Sequence, residues 1–378
     1  MSPSPKRTKA DRPRVRYAVV GLGYIAQSAV LPAFAHAAEN SVLAALVSGD
    51  STKLDRLGRK YHVKARYGYE HFDAMLEAGV ADAVYIALPN DLHAEYAIRA
   101  ANAGLHVLCE KPMAVTEEEC RAMIEACDRQ RVALMIAYRL HFDEANLKAV
   151  DLVQAGKLGE PRLFHSVFTQ QVKPGDIRLR PPARGGGPLY DIGIYCINAA
   201  RMVFADEPVE VFAETASASD PRFAESPEMA SGVLRFPRER VASFVCSFGA
   251  ARVDSYQVVG TAGDLLVDPA FDYDRPLVHY LTVNGRTRER TFARHDQFAP
   301  ELVAFSECVL AGAEPEPSGR EGLADVRVIR ALHQSADTGR PVQLGPFERD
   351  RRPTLDQAIR KPPPRAPGLV HVEAPSMG

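Results

Sequence analysis

A carboxylate and a phenol stand four residues apart, directly after a run of three glycines. The segment GGGPLYDIGIY covers residues 185–195 and contains Asp191 and Tyr195. Positions i and i+4 share one face of a helix, so both side chains can reach the same small molecule. Such a pair could orient a substrate hydroxyl group and accept its proton. A phenol is a weak base on its own, so this chemistry needs a nearby cation that stabilises the phenolate.

A candidate for that cation lies in CEKPM, where Glu110 and Lys111 follow an apolar run. Ligands of open α/β sheets bind beyond the carboxyl ends of the strands, which places this pair at the edge of a predicted crevice. Pro112 restricts the backbone of Lys111 to extended conformations and so helps to aim its side chain. A surface ion pair before a proline turn is the alternative interpretation of the same residues.

The segment GLGYIA provides a further candidate site. Gly21, Gly23 and Ala26 form the pattern G-x-G-x-x-A between the strand-like run VRYAVV and an apolar helical stretch. In this context the first glycine makes a tight turn, the second lets backbone N–H groups approach a pyrophosphate, and the alanine permits close packing of helix on strand. The helix N-terminus adds partial positive charge. The pattern predicts a dinucleotide-binding loop, with a purely structural glycine turn as the alternative.

The end of the second predicted strand bears on the choice between NAD and NADP. The run SVLAALV leads into Ser48, and Asp50 and Lys53 follow. An acidic residue at this point binds the ribose 2′-hydroxyl of NAD, whereas small polar and cationic residues accept a 2′-phosphate. A hydroxyl group at Ser48 with Lys53 nearby favours NADP over NAD. Asp50 argues the other way, since its carboxylate could bind the ribose or repel the phosphate, and Lys53 could equally be a solvated helix residue.

Predicted strands and helices alternate along the N-terminal part of the chain. The strand-like runs are VRYAVV (15–20), SVLAALV (41–47), ADAVYIALP (81–89), LHVLCEKP (105–112) and RVALMIAY (131–138). One of the helices between them begins at Thr116, which forms the capping-box spacing with Glu119. This alternation predicts a parallel sheet that is covered by helices on both faces.

Beyond about residue 140 the pattern changes to short strands joined by turns. GVLRFPRERVASFVCSF (232–248) indicates a hairpin, and Asn284-Gly285 is a strong hairpin turn signal between two other runs. Two amphipathic helices are predicted late in the chain. We predict an N-terminal arm at 1–14, a dinucleotide-binding Rossmann domain at 15–138, a substrate-binding and oligomerisation domain at 139–345 and an extended, proline-rich tail at 346–378.

The overall composition argues against several classes of protein. A net charge of −2 gives no basic field for nucleic acid or an anionic membrane. No apolar run approaches the ~18 residues that indicate a membrane span, and the N-terminus lacks the apolar segment of a secretory signal. The six cysteines show no metal-like pairing and are expected to be reduced, buried thiols. We therefore expect a cytoplasmic protein without a bound metal.

Three segments together carry a resemblance to a known family. GLGYIA, ALPNDLHAEYAIRAANAGLHVLCEKPM and GGGPLYDIGIYCIN resemble the glucose–fructose oxidoreductase and inositol dehydrogenase (Gfo/Idh/MocA) family. Most members of that family carry the pattern D-x-G-x-H-x-x-D, whereas this sequence has Asp191, Gly193, Tyr195 and Asn198. Tyrosine and asparagine at these places are similar to the glucose–fructose oxidoreductase branch.

The resemblance covers about residues 15–345 and implies both a fold and a site. The fold would be an α/β N-terminal Rossmann domain plus an α+β C-terminal domain with an open, mainly antiparallel sheet. The catalytic residues would be Lys111, Asp191 and Tyr195. The cofactor-binding residues would be Gly21, Leu22, Gly23, Tyr24, Ile25, Ser48, Lys53, Leu88, Asn90, His93, Glu110, Lys111, Arg139 and Arg178. His93 could instead be a helix-surface histidine, and Arg180 is an alternative to Arg178.

The implied activity is that of an NADP-dependent sugar oxidoreductase. It would oxidise the C1 hydroxyl group of a cyclic aldose to a lactone and, if the cofactor stays bound, reduce a second sugar at the same site. A dissociating aldose (glucose or xylose) dehydrogenase and a non-catalytic sugar or dinucleotide sensor on the same fold are the alternatives. A free sheet face in the C-terminal domain would form a homodimer or homotetramer.

Overall fold

The computed structural model describes residues 13–349 and 351–376. The predicted N-terminal arm therefore lies outside the described residues, apart from its last two positions. Two sheets organise the described chain. The N-terminal part forms a six-stranded sheet, and the later part forms a nine-stranded sheet.

The N-terminal sheet is parallel throughout. It contains β1 Val15–Val20, β2 Ser41–Val47, β3 Ala65–Tyr67, β4 Ala83–Ile86, β5 His106–Glu110 and β6 Leu134–Ala137, in the order β3-β2-β1-β4-β5-β6. β4 is buried along its whole length, as expected for a strand covered on both faces. β3 was not predicted, because three residues at the sheet edge give too short a pattern. The strand order reverses between β1 and β4, and a crevice opens there at the carboxyl ends of the strands.

Helices connect these strands. They are α1, a π-type turn at Ala26–Val30 that continues as Leu31–Ala33, then α2 Ser51–Lys60, α3 Phe72–Glu77, α4 His93–Asn102 and α5 Glu117–Gln130. The predicted capping box is present at α5. The side chain of Thr116 accepts a hydrogen bond from the backbone N–H of Glu119, whose carboxylate accepts one from the backbone N–H of Thr116.

The second sheet is mainly antiparallel. It contains β7 Pro161–Thr169, β8 Glu210–Ala216, β9 Met229–Phe236, β10 Arg240–Ser247, β11 Val253–Gly260, β12 Gly263–Val267, β13 Leu277–Val283, β14 Arg286–Phe292 and β15 Val342–Gln343. The order is β14-β13-β12-β11-β7-β10-β9-β8-β15, and only β7 and β10 run parallel to each other. The predicted hairpins form as β9–β10 and β13–β14. Asn284 and Gly285 both have positive φ angles, as a type I′ turn requires.

Four longer helices follow in the described part of the chain: α6 Glu144–Gln154, α7 Ile194–Phe204, α8 Ala299–Ala311 and α9 Gly319–Thr338. A π-type turn at Leu189–Gly193 leads directly into α7. The two late helices pack against the N-terminal domain. The Tyr17 hydroxyl group on β1 lies 2.7 Å from Ser306 Oγ on α8, and α9 packs on α5 and β6. The helices α8 and α9 thus cover the remaining part of the parallel sheet and fix the two sheets relative to each other.

One face of the second sheet carries no helix in the described part of the chain. Strands β7, β9, β10 and β11 alternate between buried and more exposed residues. Leu163, Val233 and Val253 lie on the more exposed side and are 39–52% exposed. The uncovered face therefore has apolar side chains.

The described tail residues follow the surface of the protein as an extended segment with one short turn at Leu355–Gln357. They are anchored by backbone hydrogen bonds, from Ile359 N to Phe142 O at 3.2 Å and from Asp296 N to Lys361 O at 3.1 Å. Val370 is 5% exposed and belongs to the core around β1. The tail thus packs against the folded domains.

This architecture confirms the predicted fold class. No helix among residues 13–349 and 351–376 combines the length and apolar character needed to cross a membrane. The same residues contain no cluster of three or more His, Cys, Asp or Glu side chains that could hold a metal ion. All six cysteines are free thiols, and only Cys308 is not fully buried.

Candidate active site

The glycine loop has the geometry of a dinucleotide site. Gly21 has a φ angle of +94°, and a Cβ atom there would lie 2.4 Å from the carbonyl oxygen of Ala87, so only glycine fits. A Cβ atom on Gly23 would meet no atom within 4 Å. The loop therefore leaves open space at the N-terminus of α1, where backbone N–H groups can bind an anion. Leu22 is buried beneath the loop, while Tyr24 and Ile25 are partly exposed.

The predicted NADP-selecting residues lie at the end of β2. Ser48 is buried, and its hydroxyl group accepts a hydrogen bond from the backbone N–H of Asp50 at 3.2 Å. Asp50 Oδ1 accepts a hydrogen bond from the backbone N–H of Lys53 at 3.0 Å and so caps α2. The carboxylate that argued against NADP is therefore already engaged by the protein.

Lys111, Asp191 and Tyr195 come together beyond the end of β5. Lys111 Nζ donates to the backbone carbonyl of Asp191 at 2.8 Å and lies 3.4 Å from Asp191 Oδ1. The same ammonium group lies 4.7 Å from the centre of the Tyr195 ring. The π-type turn at Leu189–Gly193 carries Asp191, and α7 carries Tyr195, so this junction presents both side chains to the lysine. The arrangement suits an acid–base site.

Arg178 is the second cation at Asp191. Its Nε donates to Asp191 Oδ2 at 2.8 Å, and its backbone N–H donates to Asp176 Oδ1. Arg178 was predicted as a cofactor contact, and the structure places its guanidinium group on the carboxylate of Asp191. It therefore orients Asp191 toward Lys111.

Burial and neighbouring charges act in opposite directions on these groups. Burial raises the pKa of Asp191, but Arg178 and Lys111 outweigh it, so the pKa of Asp191 is lowered. Burial lowers the pKa of Lys111, but Tyr195, Asp191 and Glu110 outweigh it, so the pKa of Lys111 is raised. At neutral pH the site thus holds a lysine cation beside a carboxylate anion.

Arg139 covers the other side of the Tyr195 ring. Its guanidinium carbon lies 5.1 Å from the ring centre of Tyr195 and 5.3 Å from that of Tyr273. Its Nη2 donates to the carbonyl oxygen of Phe271 at 2.5 Å, and its Nη1 donates to the side chain of Gln297. Arg139 was predicted as a cofactor contact and is placed between two aromatic rings. Two cations thus flank Tyr195, one on Lys111 and one on Arg139.

The predicted contacts after β4 tie three loops together. His93 is fully buried, with Nδ1 2.8 Å from the carbonyl oxygen of Pro112 and Nε2 2.9 Å from that of Leu88. Burial lowers its pKa. Asn90 Nδ2 donates to the carbonyl oxygen of Gly185 at 2.7 Å. His93 is therefore not the surface histidine of the alternative interpretation, and both ring nitrogens are engaged by backbone. It positions the loop of Leu88 and the loop of Lys111.

The side chain of Glu110 points into the protein, away from Asp191 and Tyr195, which Lys111 contacts. The Tyr85 hydroxyl group donates to Glu110 Oε1 at 2.9 Å and lies 3.5 Å from Glu301 Oε2. Burial raises the pKa of both carboxyl groups, most strongly that of Glu301. Glu110 was predicted as a cofactor contact, and in the structure it belongs to this buried carboxyl pair behind the site.

Asn198 lies in a second buried network below the site. Its Nδ2 donates to Glu321 and to Asp325 at 2.7 and 2.9 Å, and its Oδ1 lies 3.1 Å from His141 Nε2. Arg201 joins the same two carboxylates. The residue at which the sequence departs from the commonest family pattern therefore serves this network.

A small cavity of about 20 Å³ separates the two groups of residues. Lys111, Arg139, Tyr195 and Asn198 line it together with apolar side chains. That volume holds about one water molecule and excludes a sugar.

Most predicted site residues share one edge of the parallel sheet. Those after β1, β2, β4 and β5 lie at the carboxyl ends of four adjacent strands. Sequence reasoning missed Gln297 and Tyr273, which position Arg139, and Tyr85 and Glu301, which contact Glu110. Gln297 and Glu301 lie in HDQFAPEL (295–302), a segment that resembles the glucose–fructose oxidoreductase branch, and this resemblance is the signal that could have identified them.

Comparisons with known proteins agree with this geometry. Residues 15–138 match the model of the oxidoreductase family with an NAD-binding Rossmann fold, and residues 146–266 match the GFO/IDH/MocA C-terminal domain. The D-xylose 1-dehydrogenase [NADP(+)] of Haloarcula marismortui is 35% identical over 90% of this chain and 95% of its own length. The aldose-aldose oxidoreductase from Caulobacter crescentus, solved with glycerol, is 40% identical over 88% of this chain and 100% of that chain, with a TM-score of 0.83.

A more distant solved structure is a 3-ketoreductase from Actinomadura kijaniata in complex with NADP and TDP-benzene. It is 28% identical over 85% of this chain and 98% of that chain, with a TM-score of 0.78. The family resemblance predicted from the motifs is thereby confirmed. The chain belongs to the Gfo/Idh/MocA family of NAD(P)-dependent oxidoreductases.

Proposed function

We propose that the protein is an NADP-dependent sugar oxidoreductase that oxidises the C1 hydroxyl group of a cyclic aldose to a lactone. One observation carries this proposal: Lys111, Asp191 and Tyr195 converge beyond β5, beside an open glycine loop on the same sheet edge. The names of the xylose dehydrogenase and the aldose-aldose oxidoreductase support the substrate class. The NADP named for the first of these, and for the ketoreductase complex, supports the cofactor predicted from Ser48 and Lys53.

The residues divide the chemistry between them. Tyr195 takes the proton of the C1 hydroxyl group, and the cations of Lys111 and Arg139 lie against its ring on either side. Asp191, held by Arg178, accepts a hydrogen bond from a neighbouring sugar hydroxyl group and fixes the ring. NADP⁺, when bound, supplies the hydride acceptor. The C1–H and O–H bonds break, the C=O bond of the lactone forms, and the proton remains on Tyr195.

The fate of the reduced cofactor separates two versions of this function. If it stays bound, the same residues run in reverse on a second sugar, and Tyr195 returns its proton to the new hydroxyl group. If it leaves, the protein is an aldose dehydrogenase of glucose or xylose. A non-catalytic sensor needs no proton acceptor, and the assembled Lys111, Asp191 and Tyr195 argue against that alternative.

An absorbance spectrum of freshly desalted protein tests the proposal. Glucose or xylose is added without free cofactor, and the reduced-nicotinamide band is followed. A rise in that band indicates a cofactor that stays bound and is reduced in place. Turnover only after NADP⁺ is supplied indicates the dissociating dehydrogenase. The Tyr195→Phe variant is the matched control and should show no rise in the reduced-nicotinamide band, either without free cofactor or with added NADP⁺. No reduction with any aldose, with either cofactor, would overturn the proposal.

We further propose that the uncovered face of the second sheet forms a homodimer or homotetramer interface. Its apolar side chains, Leu163, Val233 and Val253 among them, support this assignment. Sedimentation at micromolar concentration should give a dimer or tetramer, and the Val233→Glu variant should shift it toward monomer. A wild-type protein that sediments only as a monomer would contradict this.

A further inference from the structure

A segment of the tail, residues 368–376, crosses from one domain to the other beside the glycine loop. We refer to it as the strap. At its first end the side-chain amide of Gln27, on α1, pairs with the backbone of Val370. Gln27 Nε2 donates to Val370 O at 2.9 Å, and Val370 N donates to Gln27 Oε1 at 2.8 Å. Lys60 Nζ lies 3.3 Å from the carbonyl oxygen of Gly368. These contacts fix the strap on the Rossmann domain.

The other end of the strap is fixed on the substrate domain. The backbone N–H of Lys173 donates to the carbonyl oxygen of Pro375 at 2.9 Å, and Val172 pairs with Ser376 as an antiparallel bridge. Lys173 Nζ also forms an ion pair with Glu373 at 3.2 Å. The strap therefore connects both domains on the side where the glycine loop opens.

Between these ends, His371 contacts the residue that argued against NADP. Its Nδ1 lies 3.0 Å from Asp50 Oδ2, while Asp50 Oδ1 accepts the backbone N–H of Lys53. Both carboxylate oxygens of Asp50 are thus engaged. His371 has a φ angle of +51°, a conformation that is uncommon for a residue other than glycine and that its surroundings must hold in place. The hydrogen bond from Lys53 and the one from His371 both lower the pKa of Asp50, so its carboxylate stays charged and needs a partner.

We propose that the strap is part of the cofactor site and that His371 determines the preference for NADP. By holding Asp50 Oδ2, His371 withdraws the acceptor that would bind a ribose 2′-hydroxyl group and keeps the carboxylate turned away from a 2′-phosphate. The strap, tied to Gln27 on one side and Lys173 on the other, also slows the release of the cofactor. This inference rests on the proposed use of NADP and identifies residues of that same site.

Selectivity is tested by direct binding, without any sugar. Dissociation constants for NADPH and NADH are measured by fluorescence titration of the wild type and of His371→Ala. We expect the preference for NADPH to fall about tenfold or more, mainly through weaker NADPH binding. The double variant His371→Ala/Asp50→Ala should recover NADPH affinity to within about threefold of the wild type, because the repelling carboxylate is gone. His62→Ala is the matched control, since His62 is another exposed histidine with positive φ on the Rossmann domain.

Release is tested by trapping. Protein loaded with NADPH is mixed with excess NADP⁺, and the loss of NADPH fluorescence is followed for the wild type and for a chain ending at residue 367. We expect at least tenfold faster release from the shortened chain. If the shortened chain does not fold, the Glu373→Lys variant provides the test instead. Its positive charge would repel Lys173 at the far end of the strap, and we expect NADPH release two- to fivefold faster.

The outcomes separate this inference from the proposed function. Unchanged selectivity in His371→Ala, no recovery in the double variant, or unchanged release from a folded strap variant would overturn the inference while leaving the function standing. A wild-type protein that binds neither NADPH nor NADH would overturn the proposed function itself.

Discussion

Two clusters of charged residues, one around Arg201 and one around Lys111, differ in how deeply they are buried. Around Arg201, three buried carboxylates pair with the guanidinium group, and the Asn198 amide donates a hydrogen bond to two of them. Around Lys111, the cation is shared between Asp191 and the face of Tyr195, and no hydrogen bond joins it to the phenol oxygen. The first cluster is closed to a ligand by its burial, whereas Tyr195 in the second cluster is partly exposed.

The difference shows what separates a structural charge network from a reactive one. Residue types do not distinguish them, since both contain a buried cation, carboxylates and a family-pattern residue. What differs is the exposure of the side chains and the position at the carboxyl ends of the parallel strands. The clusters should therefore respond in opposite ways to mutation, one in turnover and the other in stability.

The largest expected effect is on turnover at the reactive cluster. Lys111→Met and Tyr195→Phe should each lower kcat/KM for an aldose by 10² to 10⁴-fold, the usual contribution of a positioned acid–base group. The free energy of unfolding should change by less than about 1 kcal/mol, because Arg178 still pairs with Asp191. Steady-state kinetics and urea unfolding of the same preparations measure both. Sugar turnover that survives both changes would contradict the mechanism.

The next effect is on stability at the structural cluster. Arg201→Met should lower the free energy of unfolding by about 3–5 kcal/mol, because Asp325 would remain buried without its cation, and Glu207 and Glu321 would keep only Arg352 and Arg349. Turnover per folded molecule should change less than about threefold. Arg235→Met is the control, since its ion pair with Glu210 is about half exposed on the arginine side and should contribute less than about 1 kcal/mol. Equal losses in the two variants would erase the distinction between the clusters.

Asn198→Asp probes the boundary between them. A carboxylate at this position would face Glu321 and Asp325 at hydrogen-bond distance, with no N–H group left to donate. We expect a loss of about 1–3 kcal/mol in the free energy of unfolding and a change in kcat below tenfold. Thermal melting and kinetics at one pH measure the two quantities. A fall in kcat of more than tenfold without loss of stability would show that Asn198 belongs to the reactive cluster.

The smallest expected effect is a loss of folding stability at acidic pH, and it arises outside both clusters. Burial lowers the pKa of His279, on β13, to about 4. In the unfolded chain this histidine binds a proton near pH 6.5, whereas in the folded chain it stays neutral until about pH 4. Its contribution to the free energy of unfolding is therefore complete above pH 6.5 and is lost as the pH falls toward 4. The contribution lost at pH 5 is about 2 kcal/mol. His279→Asn should flatten the difference in unfolding free energy between pH 7 and pH 5, and an unchanged difference would exclude this histidine as its source.

The parts of the site that local pattern specifies could be predicted from the sequence. The strand ends and the i, i+4 pair made Lys111, Asp191 and Tyr195 candidates, and the family resemblance supplied their expected roles. Contacts between distant segments could not be predicted in this way. Arg178 reaches Asp191 through a glycine-rich turn, and Asn198 and His93 are set by packing that no local pattern records. Strand β3 was missed because a three-residue edge strand leaves no periodicity.

The contact between Gln27 and Val370 joins residues 343 positions apart. Synthesis proceeds from the N-terminus, so the glycine loop and β2 emerge from the ribosome long before the segment that packs over them. A nascent chain can fold its first sheet early, but α8, α9 and the strap arrive last, and each packs on that sheet. Pairings between such distant segments form slowly. The Asp50 corner of the crevice is therefore the part of the molecule that is assembled latest.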